Sequence, residues 1–456
     1  MKGKEQYKKL LIFILSLLLW FGLTALWAVA WYEFFSQATW GGPFYRKGNW
    51  LVIAIYGFML LIFNFTYGGY RVGYYKRGDI IFSGFLATVF TNALTYLQVS
   101  LMARKFLNLY LFLALTAMDF ILIWVWATAS NKLYNRLYPP HRMLVVYGGR
   151  GLAESLICKM STRSEKYRIC EAIHIDDGYD RIISRIGEYE AVVLCDIHSE
   201  LRNQILKHCF NNQIRVYVTP KIADIIIRGA STINLFDSPL LLCRNMGLSG
   251  TQKMVKRMMD LAISGLGLVV LSPVMLLVAG AIKLEDGGPV FYCQQRLTLG
   301  GRVFKIYKFR SMIVDAEKDG IRLASKSDKR ITRVGRFIRK TRLDEIPQLI
   351  NIFKGEMSVV GPRPERPEIA DQYTKNMPEF PYRLKVKAGL TGYAQVVGKY
   401  NTTPYDKLKL DLMYISEYSI LTDIKLILMT IKVIFTPNST EGVAKEQKTA
   451  DTASRR

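Results

Sequence analysis

The residues best placed to do chemistry are two adjacent acids, Asp344 and Glu345, in the stretch Leu343-Asp-Glu-Ile-Pro347. They follow a basic run: between residues 326 and 342 eight Lys or Arg stand against one Asp. Such a field is expected to keep both carboxylates ionised. Pro347 disfavours helical geometry at Ile346, which puts the pair at a helix boundary where its oxygens can face a cleft. All four histidines, at 141, 174, 198 and 208, lie upstream, so acid–base or nucleophilic work near the acids falls to carboxylates. Cys293 has no base partner visible in sequence and reads as a packing residue. Lys305, Lys308 and Arg310 alternate with apolar residues at strand period, and Gly361-Pro-Arg-Pro364 fixes Arg363 on a stiff turn. Rigidly held cations suit a diphosphate: Lys supplies a point charge and Arg a planar fork, while a carboxylate could hold Mg²⁺ or attack phosphorus.

Two elements must position these groups. Ile331, Val334, Phe337 and Ile338 recur at helical spacing within the basic run, which predicts an amphipathic helix seated at a membrane surface. Upstream, the 24 residues between Asp260 and Glu285 are nearly all apolar, enough to cross a bilayer as one straight helix. That crossing would put the basic C-terminal part outside the cell, against the positive-inside rule. Pro273 in mid-run removes a backbone hydrogen bond, Ser272 can satisfy the freed carbonyl, and two half-helices that enter and leave one leaflet are expected. A kinked fifth span is the alternative. Lys253, Lys256 and Arg257 at the entry and Lys283 at the exit suit anchoring at an anionic surface.

The first third of the chain is membrane-like. Apolar runs near 10–34, 50–69, 79–102 and 106–129 each approach or exceed the about 20 residues a spanning helix needs. The first is too long, and lacks the small-residue cleavage site, for a removable signal peptide, so an anchor is expected. Lysines 2, 4, 8 and 9, then Arg71, Lys76 and Arg77, then Lys132, Arg136 and Arg142 flank alternate ends, whereas the outer loops carry Arg46, Lys47, Arg104 and Lys105. The bias puts the N-terminus and everything after residue 130 in the cytoplasm. Six cysteines without a CxxC pair read as buried thiols of a reducing compartment, and no metal-ligand spacing is present. The net charge of +25 fits an anionic bilayer and phosphorylated substrates, and no nucleic-acid-binding motif accompanies it.

Between the spans and the apolar run, Met143-Leu-Val-Val-Tyr147 leads into Gly148-Gly-Arg-Gly151 and a helical stretch, as in a nucleotide-binding βαβ unit. Further strands at 169–175, 191–195 and 214–218 predict a small parallel sheet. Glu154 stands where a third glycine would approach a pyrophosphate, which favours a structural or regulatory use over dinucleotide binding. After residue 412, apolar runs mixed with Glu417, Asp423, Lys425 and Lys432 predict helices lying on the bilayer, and the polar tail from 437 is expected to be disordered.

Ordered motifs over residues 251–435 resemble the bacterial sugar transferase family, also called monotopic phosphoglycosyl transferases. They are Lys256-Arg-Met-Met-Asp260, Ser272-Pro273, Tyr307-Lys-Phe-Arg-Ser-Met312, Arg330-Ile-Thr-Arg-Val-Gly335, Leu343-Asp-Glu-Ile-Pro-Gln348, Gly361-Pro-Arg-Pro-Glu365 and Gly389-Leu-Thr-Gly-Tyr-Ala-Gln395. The four spans and the middle module resemble the long form of that family, whose members start exopolysaccharide, capsule or O-antigen assembly with glucose or galactose phosphate. The resemblance implies a re-entrant hairpin, a membrane helical bundle at 1–135, a Rossmann-like α/β module at 140–245 and a mostly α, α+β catalytic domain at 251–436 with the hairpin at 260–285.

It also implies a catalytic centre on the cytoplasmic face of the bacterial inner membrane. There Asp344 is the nucleophile, Glu345 its partner in the dyad, and both are candidate Mg²⁺ ligands. Lys305, Lys308, Arg310, Arg363 and Arg296 are the phosphate-handling residues. A UDP-sugar is the implied donor, undecaprenyl phosphate the acceptor, membrane lipids the surroundings and a homodimer the expected assembly, with no role for nucleic acid. One departure stands out: Gln294-Gln-Arg-Leu-Thr298 has Thr298 where the family usually has Gly. The competing classes are a scaffold without activity and a nicotinamide-dependent sugar-modifying enzyme.

Overall fold

A computed structural model describes residues 6–40, 42, 44–243, 247–314, 328, 330–398 and 402–434. The expected tail from 437 and the start of the basic run at 326 lie outside the described residues. The chain divides into two compact units between Thr219 and Pro220.

In the first unit, four long helices, α1 (Lys8–Ala30), α2 (Arg46–Tyr67), α3 (Arg77–Ala103) and α4 (Leu109–Leu137), fall on the four apolar runs. Each is long and apolar enough to cross a membrane. One stripe of α1, Leu15, Leu19, Leu23 and Trp27, is buried at helical spacing, and Trp27 stacks on Tyr56 at 5.0 Å. The opposite face leaves Phe13, Leu17, Leu18 and Phe21 exposed, as lipid contact requires. The same unit carries a parallel sheet of β1 (His141–Tyr147), β2 (Tyr167–His174), β3 (Ala191–Cys195) and β4 (Arg215–Val218) in the order β2-β1-β3-β4. Its connections hold α5 (Arg150–Ser161), α6 (Tyr179–Ile186) and α7 (Ser199–Asn211). β3 is buried along its whole length, which explains its unbroken apolar sequence. In the glycine turn, Gly148 N–H donates to Cys195 O at 3.1 Å, so that amide is used within the sheet.

The second unit begins with α8 (Ile222–Arg228) and the hairpin β5 (Ser231–Leu235) and β6 (Ser238–Leu242). Then come α9 (Gly250–Asp286), the antiparallel ribbon β7 (Phe291–Leu297) and β8 (Val303–Phe309), α10 (Arg333–Lys340), α11 (Gln348–Lys354), β9 (Ser358–Val360) and α12 (Pro367–Asn376). It ends with β10 (Gly389–Thr391), which pairs in parallel with β9, and with α13 (Tyr393–Val397), α14 (Pro404–Ser416) and α15 (Ile420–Ile434). Sequence put residues 220–242 with the middle module, but Ile222 and Ile225 pack on Leu408 and Leu412, and Arg228 pairs with Glu417 at 2.6 Å.

The apolar run lies within one 37-residue helix that contains Pro273. The helix tolerates the proline because Ser272 Oγ donates to Val269 O at 2.7 Å, the carbonyl that the missing Pro273 N–H leaves unserved. Of the three cations expected to anchor its entry, Lys253 stays exposed and the other two are used internally. Lys256 Nζ lies 2.6 Å from Asp423 Oδ2 and donates to Tyr414 Oη, while Arg257 donates to Ile352 O and Phe353 O at 2.7 and 2.8 Å. Asp260 Oδ1 accepts from Ser358 Oγ and Val359 N. At the exit, Lys283 caps its own helix on Gly287 O at 2.6 Å.

In the C-terminal helices Leu412, Tyr414, Asp423 and Leu426 are buried in this unit, while Ile420, Leu421, Ile424 and Ile434 leave an exposed apolar face on α15. Cysteine burial also differs: Cys195 and Cys209 are buried, but Cys158, Cys170 and Cys293 are exposed. Cys293 falls on the outward face of β7, where the pleat alternation puts it.

Replacing Lys256 by Met strands a buried Asp423 carboxylate. We expect it to destabilise the unit by about 3–5 kcal/mol, with most of the loss recovered in the K256M/D423L double variant. Thermal unfolding of the detergent-solubilised chain measures both, and a single variant as stable as wild type would refute the assignment.

Candidate active site

The dyad sits on a single 3₁₀ turn, Leu343–Glu345, that links α10 to α11. The boundary is made upstream of the place expected from Pro347. Arg342 takes a left-handed backbone, φ 60°, whereas Ile346 is helical, and Pro347 serves as the N-cap of α11, where it has no intrahelical donor to lose.

The cations converge on one acid of the pair. Glu345 Oε1 lies 3.0 Å from Lys308 Nζ on β8 and 3.0 Å from an Arg363 guanidinium nitrogen, and Arg342 approaches Oε2 at 3.7 Å. Burial alone would raise the Glu345 carboxyl, but Lys308, Arg363 and Arg342 outweigh it and hold it well below the usual carboxylate range. Asp344 differs. Among the described residues its carboxylate has no hydrogen-bond or ion-pair partner, and it keeps some access to solvent. Burial pushes it above its ordinary value, the Glu345 charge adds to that, and Lys308, Arg339 and Arg342 offset only part. The field is therefore spent on Glu345 and does not depress both acids alike.

The turn that presents Arg363 is unusually well held. Its four successive carbonyls all accept: Pro362 O from Gly389 N at 2.9 Å, Arg363 O from Arg383 at 3.0 Å, Pro364 O from Arg296 at 3.1 Å and Glu365 O from Leu297 N at 3.0 Å. Arg383 is buried and pairs with buried Asp411 at 2.8 Å. Arg363 also reaches Gln395 Oε1 at 3.4 Å.

The predicted phosphate residues thus separate into groups. Lys308 and Arg363 reach the dyad. Arg296 is half-buried beneath the turn and positions it, and Arg310 is buried against Asp286 at the end of α9. Lys305 lies on the face of β8 opposite Lys308, exposed, because three residues along a strand reverse the side. Sequence reasoning missed Arg342, Gln395, Arg383 and Asp411. The first two lie inside or beside the motifs quoted for the dyad and its surroundings. Arg383 and Asp411 meet from separate elements and left no local signal.

Thr298 resolves its own departure. Its backbone is extended, φ −131°, which any residue adopts, and its hydroxyl donates to Glu356 O at 2.8 Å while accepting from Ala388 N at 3.3 Å. The hydroxyl ties the end of β7 to the segments flanking β9 and β10. Val at this position would leave both groups buried without a partner, and we expect a loss of about 1–3 kcal/mol in thermal unfolding. An unchanged melting temperature would show that the clamp contributes nothing.

As for a metal, Mg²⁺ binds through one or two carboxylates plus substrate phosphates. Asp344, unpartnered and partly accessible, fits that role. Glu345 does not, because both its oxygens already face cations. Among the described residues no group of three or more His, Cys, Asp or Glu forms a self-sufficient metal cage.

Apolar helices joined to an α/β unit with a carboxylate dyad among rigid cations define a membrane-associated protein built to handle phosphate. Residues 251–437 match the family model described as bacterial sugar transferase. The chain is 37% identical over 54% of its length to the UDP-N-acetylgalactosamine-undecaprenyl-phosphate N-acetylgalactosaminephosphotransferase of Aeromonas hydrophila, covering 59% of that protein. It is 40% identical over 45% of its length to the UDP-glucose:undecaprenyl-phosphate glucose-1-phosphate transferase of Klebsiella pneumoniae, covering 43% of it. The chain spans about half the length of these two relatives. Against a protein of the same printed activity from Caulobacter vibrioides it is 38% identical over 40% of this chain and 71% of that one. The chain belongs to the bacterial sugar transferase family.

Proposed function

We propose that this chain transfers a hexose 1-phosphate from a UDP-sugar to undecaprenyl phosphate, giving undecaprenyl-diphospho-sugar and UMP, as the first membrane step of a surface polysaccharide. The observation that carries the reading is the asymmetry of the dyad: Asp344 is unpartnered beside a Glu345 that engages three cations. Asp344 attacks the β-phosphorus, the bond from that phosphorus to the bridging oxygen breaks, and UMP leaves with the electron pair. A phosphate oxygen of undecaprenyl phosphate then attacks the same phosphorus and the acyl phosphate bond breaks, restoring the Asp344 carboxylate. Glu345 carries one negative charge against Lys308, Arg363 and Arg342, so the cluster keeps excess positive charge for the diphosphate. Mg²⁺ held by Asp344 and the donor phosphates would supply further neutralisation.

Substituting Asp344 by Asn should abolish both UMP release and trapping of a labelled phosphosugar on protein. K308A should lower turnover by roughly 10²–10³-fold, the scale for removing one electrostatic contact to a transition state, whereas K305A should stay near wild type. Continued labelling of the D344N protein would mean that another nucleophile does the work.

The same reading makes α9 re-entrant on the cytoplasmic leaflet. What supports it is that both ends are fastened to one polar unit: Lys256 and Asp260 to Asp423 and β9, and Glu285 to the Arg333 and Val334 amides at the start of α10. The exposed native thiols test this directly. A membrane-impermeant maleimide applied to sealed vesicles of one orientation should modify Cys158, Cys170 and Cys293 together. Modification of Cys293 from the side opposite to Cys158 would mean that α9 crosses.

A further inference from the structure

The first unit contains a second concentration of positive charge that the transfer chemistry does not use. A cavity of about 330 Å³ opens where the N-terminal end of α1, the 73–77 connection and the C-terminal end of α4 meet β1, β4 and the loop before β2. An up-and-down bundle brings those three span ends to one side, so the cavity lies at the base of the helices. Lys8, Lys76, Arg77, Arg163, Lys166 and Arg215 line it against a single acid, Glu165.

That acid is engaged by Arg163 at 2.6 Å. Among the described residues, Lys8, Lys76, Arg77 and Lys166 make no ion pair. Two of them are held by aromatic faces instead. Lys8 Nζ lies 5.3 Å from the Tyr134 ring centre and 5.6 Å from that of Tyr138, and Lys166 Nζ lies 4.8 Å from that of Tyr74. A ring fixes an ammonium without cancelling its charge. Burial pushes Lys166 below its ordinary value and the neighbouring Arg163 pushes it further, which marks a cluster short of anions. Arg163 is fixed by a bond to Tyr74 O at 2.7 Å, and Arg215 donates to His141 Nε2 at 2.7 Å, so two guanidinium forks are set in place.

We propose that this cavity binds a phosphate ester, at a site separate from the dyad. Preplaced Arg forks and unneutralised ammonium groups suit phosphate oxygens, the tyrosine walls suit the sugar or glycerol that carries them, and the volume admits such a group. Two sources share this chemistry at the end of a spanning helix: the headgroup of an anionic lipid and a soluble nucleotide.

Thermal unfolding of the full-length chain in phosphatidylcholine nanodiscs separates them, with phosphatidylglycerol mixed into the bilayer in one arm and UMP added to the buffer in the other. Wild type should be stabilised in one arm, and that arm identifies the source. The K76Q/K166Q variant should need at least about tenfold more of the same additive for the same shift, each lysine contributing on the order expected for a cation near a phosphate surface. K207E, a charge change on exposed α7, serves as the control and should respond as wild type does. Stabilisation in neither arm, or an undiminished response in K76Q/K166Q, overturns the site. Because the readout is stability and not transfer, failure here leaves the assignment of Asp344 standing, and failure of D344N to block transfer leaves this site standing.

Discussion

One nearly buried carboxylate organises the catalytic unit. Glu345 is only 12% exposed at its side chain, and a charge so placed is costly unless it is paired and hydrogen-bonded. Its partners come from three directions: Lys308 from the β7–β8 ribbon, Arg363 from the turn after β9, and Arg342 from the residue that breaks the chain into the 3₁₀ turn. Each must be delivered to within a few ångströms by an element fixed elsewhere. Much of the unit can be understood as the apparatus that does so.

The fixing is mostly backbone and polar. α11 is tied to β8 by Asn351, which accepts from Tyr307 N at 3.0 Å and donates to Lys305 O at 2.8 Å, so the helix that follows the dyad and the strand that carries Lys308 move together. The Pro-Arg-Pro turn has few amides of its own to offer and gains its rigidity by having every carbonyl taken by a neighbour. The entry of α9 ties the long apolar helix to β9, directly beside that turn. With both ends of the helix fastened to this unit, its exposed apolar face, including Leu266, Val269, Leu276 and Leu277, is presented at a set position relative to the dyad. The proposed transfer from a water-soluble donor to a lipid acceptor needs a constraint of this kind.

Much of this was legible in the residues and some was not, for identifiable reasons. Long apolar runs and the strand of Ala191–Cys195 were read closely because hydrophobic periodicity is a local signal. The dyad and Arg363 stood out because charge density and a Pro-Arg-Pro turn are local too. Lys305 and Lys308 lay in one strand pattern, yet only parity along the strand decides that one reaches the acid and the other does not. The interpretation of Lys256 and Arg257 as membrane anchors failed because their partners, Asp423 and the Ile352 and Phe353 carbonyls, lie about 100 residues or more downstream, and no local rule reports on them. Thr298 departs from the motif and is a clamp by geometry.

The net charge of +25 therefore has no single meaning. Lys256, Arg257, Arg296 and Arg383 are buried or partly buried and hold the fold together through carboxylates and carbonyls, so their charge is invisible from outside. Lys308, Arg363 and Arg342 share one acid and keep a surplus. Lys8 and Lys166 rest on aromatic rings and surrender nothing. Attraction for phosphate should scale with the charge left after internal pairing and not with the number of basic residues. By that measure this chain has two places, one in each unit, where we propose that an anion binds: the dyad, beside the unpartnered Asp344, and the cavity at the base of the helices, whose one lining acid, Glu165, is taken by Arg163.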